Sequence, residues 1–320
     1  MGAFVNFFRQ LPVVSFGALE IGIIWAVMAL GVFIAFRVLD FADMTTDGSL
    51  TLGAAISGTC LALGINPWLS LIFAIIGGMG AGCITAALHT KLGIPSLISG
   101  IITQIGLYSV NLHIMGLSGG NGFAGFKNGL ANIGLRNMRT VFDDFTNLFG
   151  LNGDNPRIST LSGIAVGILI LTVVIAILTF FLKTEKGFAF QATGMNPKMI
   201  RALGVNTDNM IFMGLMISNA LISLGGALVT QMQGFADIST GVGTIAFGLA
   251  SVIIGEMLFG KRSLMWHMIA VVLGSAVYRL IIAIVMLAGL PPIDLKLATA
   301  ILMVLFLSLP KIKAIFKPKR

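Results

Sequence analysis

The sequence is poor in charge. Only 10% of its 320 residues are Asp, Glu, Lys or Arg, where a soluble domain carries about a quarter. That is too little polar side chain to cover a water-facing surface. Much of the exterior must therefore meet lipid, which excludes most soluble fold classes. Cysteine is nearly absent. Cys60 and Cys83 both sit in apolar stretches and set neither a disulfide framework nor a metal spacing. His89, His113 and His267 are scattered and form no HxxxH pair, so they read as interface or core residues and no metal site is expected. There is no HExxH and no paired His, so no catalytic residue is expected either. No cleavable signal peptide is expected either, because the first apolar stretch runs on to Phe36 and is long enough to stay in a membrane.

What is present is apolar: 57% of the residues are hydrophobic and the mean hydropathy is +0.99. A spanning helix needs about 20 mainly apolar residues. Nine candidates stand out, at 14–36, 47–64, 67–89, 95–116, 160–182, 210–232, 244–260, 265–289 and 295–310. The second and seventh are short and rich in Gly, Ser and Thr. The expected fold is all-α, a single polytopic membrane domain over residues 1–320 with about eight to ten transmembrane helices.

The formal charge of +8 is no nucleic-acid footprint, and no nucleic-acid partner is expected. Five basic residues, Lys311, Lys313, Lys317, Lys319 and Arg320, crowd the last ten positions. They read as a cytoplasmic flank held near anionic membrane lipid. With that tail inside, the tail and the inner loops together hold thirteen basic residues, among them Arg37, Lys91, Lys183, Lys198 and Lys261, against six outside. The bias places the N-terminus outside and the C-terminus inside. Residues 117–159 then form an extracytoplasmic segment, which reads as a solvated cap or as a docking surface. Residues 183–209 form a cytoplasmic loop.

Phe41-Ala42-Asp43-Met44-Thr45-Thr46 recurs as Phe235-Ala236-Asp237-Ile238-Ser239-Thr240, with four of six residues identical. The copies introduce the second and seventh spans, an odd offset that gives them opposite orientations. This is the pattern of inverted-repeat transporters, whose broken helices lie near the solute path. Asp43, Asp47 and Gly48 at the first break, and Asp237, Gly241 and Gly243 at the second, become candidates for the path. Capping is the plainer use of Asp at a helix start. Glu256 and Arg279 are ionisable groups at membrane depth, where charge is costly and faces a cavity or a partner. Glu256 lies close enough to Lys261 or Arg262 to be neutralised. Arg279 is deeper and expects either an acidic neighbour or contact with solute. Glu20 reads as snorkelling near the outer end of its span, and Gly78 and Gly82 as close helix packing.

In the inner loop, Asn196 suits a helix N-cap, Pro197 the first helical position and Gly204 a left-handed stop. The stub between them is too short to be stable alone in water. It carries an apolar stripe of Met199, Ile200 and Leu203 beside Lys198 and Arg201. It is either a helix lying on the membrane or a knob for a socket on another protein.

The stretch Gly187…Ala192…Asn196…Ala202-Leu203-Gly204-Val205-Asn206 resembles the coupling-loop motif of ABC importer permeases of the branched-chain amino acid and ribose type. Two further stretches, Phe36 to Ala55 and Gly274 to Ala283 followed by Asp294 to Leu297, are similar to a narrower branch with some members assigned to tryptophan or tyrosine uptake. Nearly the whole chain is covered. Phe188 departs from the pattern, standing where the family commonly has a basic residue. The resemblance implies a type II-like permease, acting as a homodimer on a small solute, with amino acids the first choice. It also implies a cytoplasmic ABC ATPase that takes Gly187, Asn196, Pro197, Met199, Ile200, Arg201, Leu203 and Gly204 as its coupling surface. An external substrate-binding protein would deliver the solute. The run Gly255 to Lys261 starts like a phosphate loop, but Arg262 stands where that loop needs Ser or Thr. No cofactor is therefore expected on this chain, and ATP is used by the partner. The rival readings are an ion-coupled secondary transporter working through Asp47, Glu256 and Arg279, and an integral-membrane enzyme.

Overall fold

The computed structural model describes residues 2–119, 127–136, 138–148, 156–291 and 294–315. Twelve helices are named here: α1 (Gly2–Phe33), α2 (Thr46–Ala62), α3 (Pro67–Thr90), α4 (Ser96–Gly116), α5 (Val141–Leu148), α6 (Pro156–Leu182), α7 (Glu185–Met195), α8 (Pro197–Ala202), α9 (Thr207–Gln233), α10 (Thr244–Phe259), α11 (Leu264–Leu287) and α12 (Leu295–Ile315). Two short strands, β1 (Asn132–Gly134) and β2 (Phe235–Asp237), pair antiparallel with Ile133 opposite Ala236.

Among the described residues, six helices are long and apolar enough to cross a membrane: α1 from Val14, α3, α4, α6, α9 and α11. The stretches Thr244–Phe259 and Leu297–Phe306 are shorter apolar helices. α2 has 17 residues and nearly all of them are buried. Every expected span is thus a helix, but the second and seventh, α2 and α10, are too short to cross alone and each follows a stretch of irregular chain. Asp154 and the tail residues Lys317, Lys319 and Arg320 lie outside the described residues.

Helix starts follow local chemistry. Asn66 caps α3 with Pro67 in its first turn, Asn206 accepts from Asp208 and Asn209 at the start of α9, and Ser263 caps α11. The bundle is held by close backbone approach. A Cβ on Gly53 would lie 1.8 Å from the Ser223 carbonyl, and one on Gly226 would lie 2.0 Å from that of Leu50. α2 and α9 therefore touch along their backbones, as small residues permit in a membrane. Gly78 and Gly82 of α3 do the same against Asn219 and Leu215 of α9, the packing role expected of them.

α1 and α9 are the two central helices. α1 packs along α11, with Gly22 against Ala276, and α9 packs along α3. The chain at 183–207, with α7 and α8, marks the lower end of the bundle. The β1–β2 ribbon and α5 mark the upper end, where the Gln231 side chain accepts from the Val141 amide.

Candidate functional site

α1 does not simply stop. Its last turn widens into a π-helical turn over Ile34–Val38, where the Leu39 amide reaches Ile34 at 3.0 Å. Such turns are rare and frequently mark functional places. Asp40 then adopts a positive φ of 54° and the chain re-enters the bundle. Asp43 is fully buried. Its carboxylate accepts from the Thr45 amide at 2.9 Å and from the Asn219 side chain at 2.7 Å. Ser49 donates to the same Asn219 at 2.6 Å. Asn219 sits twelve residues into α9, about 18 Å from its start, so this knot lies deep in the molecule.

α2 begins beside the knot and runs to the upper end. α10 begins next to it and runs to the lower end. The two N-termini meet through Asp47. Its carboxylate accepts from the amides of Gly243 at 2.9 Å and Ile245 at 3.0 Å, and from the Thr244 hydroxyl at 2.9 Å. Gly243, at the N-cap of α10, has no side chain to offer, so α2 supplies the cap from across the junction. A carboxylate there also complements the positive end of the α10 dipole. Gly241 is required by this contact, because a Cβ on it would fall 2.0 Å from the Asp47 carbonyl. Gly48 presses on Leu107 and accepts from Asn111 at 3.2 Å.

Five sequence candidates, Asp43, Asp47, Gly48, Gly241 and Gly243, therefore come together. Asp237 does not join them. It lies on β2 at the upper end, opposite Asn132. Its carboxylate accepts from the Ser239 amide at 2.7 Å, the same turn that Asp43 makes with Thr45. The repeated hexapeptide thus builds the same turn twice, once buried among helices and once beside the ribbon.

Glu256 closes the lower end of α10. Its side chain is 7% exposed and forms ion pairs with Arg37 and with Lys261, the latter at 2.9 Å. His267 meets it at 2.8 Å. Lys261 was one of the two expected neutralising partners. Arg37, which rides on the π-turn, was not expected. Arg279 corrects an expectation. No acidic side chain among the described residues pairs with it, and its guanidinium lies instead over the rings of Trp25 at 4.2 Å and Phe247 at 4.8 Å.

At the lower end, Thr184 caps α7 through the Gly187 amide, and Gly187 itself packs against the Phe181 carbonyl. The Asn196 side chain accepts from the Met199 amide at 3.1 Å, Pro197 opens α8, and Gly204 takes φ 84°. The expected three-residue stripe divides. Ile200 is buried at 6%, whereas Met199 is 50% and Leu203 71% exposed. The outward row is Met195, Met199 and Leu203. Arg201 turns back on its own chain, bonding Thr207 and pairing with Asp208 at 3.2 Å. Gly194 of α7 rests on the π-turn, where a Cβ would meet the Val38 carbonyl at 2.0 Å.

Asn219, Trp25 and Gly194 were not singled out from the sequence. Asn219 carried a readable sign, an amide in the middle of an apolar span. Trp25 and Gly194 carried none, since their roles are set by neighbours distant in the chain.

The family described as branched-chain amino acid transport system, permease component, matches residues 15–308. A tyrosine transport system permease protein of Clostridioides difficile (strain R20291) is 38% identical over 286 residues, covering 89% of this chain and 88% of that protein. An uncharacterised protein of Rickettsia prowazekii (strain Madrid E) is 33% identical over 300 residues, covering 92% and 96%. A solved structure, PsaBC from Streptococcus pneumoniae in complex with Fab, aligns over 95% of each chain at 15% identity and a TM-score of 0.49. The chain belongs to the branched-chain amino acid transport system permease family: it is the membrane-spanning permease subunit of an ABC transporter, a multi-pass protein of the bacterial inner membrane and not itself an enzyme, with ATP hydrolysed on a separate subunit.

Proposed function

We propose that two copies of this chain form the path of an importer for an amino acid, gripped at the lower end by an ATPase pair and served at the upper end by a solute-binding protein. One chain supplies one α8, and an ATPase dimer offers two sockets. Arg37, Lys91, Lys183, Lys198, Arg201 and Lys261 all gather at the lower end, which supports a cytoplasmic assignment for residues 183–209. The ribbon and α5 at the other end then form the extracytoplasmic face. The tyrosine assignment of the 38% identical relative favours an aromatic amino acid.

The observation that carries the reading is the contact of Gly194 with Val38 and Leu39. It joins the α7–α8 unit directly to the π-turn, from which the chain leads into the Asp43 knot and Arg37 reaches Glu256 on α10. A push on α8 has a packed route to the junction of α2 and α10. The rival ion-coupled reading needs a carboxylate free to load a cation, whereas Asp47 caps α10 and Glu256 is paired.

The test is reconstitution in proteoliposomes with the cognate ATPase and binding protein. ATP-dependent uptake of L-tyrosine is expected, and none under a proton or sodium gradient alone. Gradient-driven uptake without ATPase would overturn the proposal.

A further inference from the structure

Arg279 projects from α11 into the space between α1 and α10. Trp25 and Phe247 flank its guanidinium. Tyr278 stands edge-on to Phe247 at 4.9 Å, and Trp25 does so at 5.1 Å. The three rings are buried, with Trp25 the most open at 7%. Cation–π contact holds the guanidinium by its face. It does nothing for the N–H groups along the edge.

Those groups are the anomaly. Nε of Arg279 and Nε1 of Trp25 are both buried and both lack an acceptor. Buried donors are almost always paired, and an unpaired one is costly. Here two occur side by side, one of them on a cation. Three acids of the bundle are engaged elsewhere. Asp43 is bound to Asn219, Asp47 to the start of α10, and Glu256 to Arg37, Lys261 and His267. Glu20 lies beside Gly163 of α6 and makes no ion pair with Arg279 among the described residues. The missing group must be an acceptor, and beside a guanidinium it is best an anion. A carboxylate fits, since its two oxygens match the guanidinium fork and leave a lone pair for the indole N–H.

We infer that Arg279 and Trp25 form the binding site for the carboxylate of the transported solute. The site lies three residues along α10 from Thr244, next to the junction that Asp47 makes between α2 and α10. Loading it therefore adds an anion where the two halves meet. This inference rests on the amino-acid importer reading above and names the group that reading leaves unassigned.

The test uses the full transporter with L-tyrosine as probe and tyramine as its counterpart lacking the carboxylate. Of the three tryptophans of this chain, Trp68 and Trp266 are replaced by Phe, and the response of a matched complex that also carries Trp25→Phe is subtracted, so that Trp25 alone reports. L-tyrosine is expected to change its fluorescence and tyramine is not. Arg279→Gln is expected to abolish the response and to lower ATP-dependent L-tyrosine uptake at least about tenfold, while the ATPase still co-purifies. Equal responses to both probes, or no response to either, overturn the inference. So does an Arg279→Gln variant with wild-type uptake. If Arg279→Gln fails to assemble, the Trp25 reporter with Arg279 intact decides alone. A wild-type complex that takes up no amino acid with ATP would instead sink the importer reading itself.

Discussion

The aspartates of the two hexapeptide copies show how context sets the use of one residue. Asp43 and Asp237 make the same turn with the amide two residues on. Asp43 is sealed in the bundle and bound to Asn219, whereas Asp237 sits beside the ribbon. Asp47 has no counterpart in the second copy, yet it binds three donors at the start of α10. Removing a capping side chain costs about 0.5–2 kcal/mol, and the charge at a partly buried dipole end adds to this. Asp47→Ala is therefore expected to destabilise the detergent-solubilised protein by about 2 kcal/mol. Asp237→Ala should cost less than about 1 kcal/mol. Thermal unfolding of the two variants side by side checks this, and an Asp237 variant as unstable as the Asp47 variant would contradict the junction described.

Among the elements, α2 and α10 were the faintest spans in the sequence and are the ones that matter most. Hydropathy registers helices that meet lipid. α2 meets almost none, because α3, α4 and α9 surround it. Its Gly, Ser and Thr serve close packing and internal hydrogen bonds rather than partition into lipid. α10 reads short because its crossing is completed by residues 235–243, which are not helical. The capped stub at 196–204 was fully legible, because caps, proline and glycine act locally. Its outward face was less so, since burial of Ile200 and the turning back of Arg201 depend on chain beyond α8. This division separates two mutations. Leu203→Glu, on the more open of the two exposed apolar positions of the stub after Asn196, is expected to abolish ATPase co-purification without changing membrane insertion. Gly194→Ala leaves the outward row intact and forces α7 away from Val38. It should retain the ATPase while lowering coupled uptake about tenfold, a barrier change of about 1.4 kcal/mol. Loss of ATPase binding in the Gly194 variant would mean that α7 belongs to the socket contact and not to the transmission.

For the whole molecule, the repeat of six residues announced an inverted architecture, and the helices follow it. α1 leads through a break into α2 and α9 leads through a break into α10, with α11 along α1 and α3 along α9. Broken helices that start from a common level and run to opposite ends place their positive dipole ends together. Asp47 answers one of them. The arrangement has a consequence for topology. If α9 passes once through the membrane, the segments at its two ends must open to opposite sides. Lys198 and Phe235 are both exposed, one at each end of the bundle. With Cys60 and Cys83 replaced by Ala, a single cysteine at 198 should react with an impermeant thiol reagent only from the cytoplasmic side. A single cysteine at 235 should react only from outside. Labelling of both from one side would mean that the chain crosses an even number of times between α8 and β2, which the single passage of α9 forbids. Labelling of each from the wrong side would leave the fold intact but invert it, placing α8 where no ATP is found and removing the drive from the transporter.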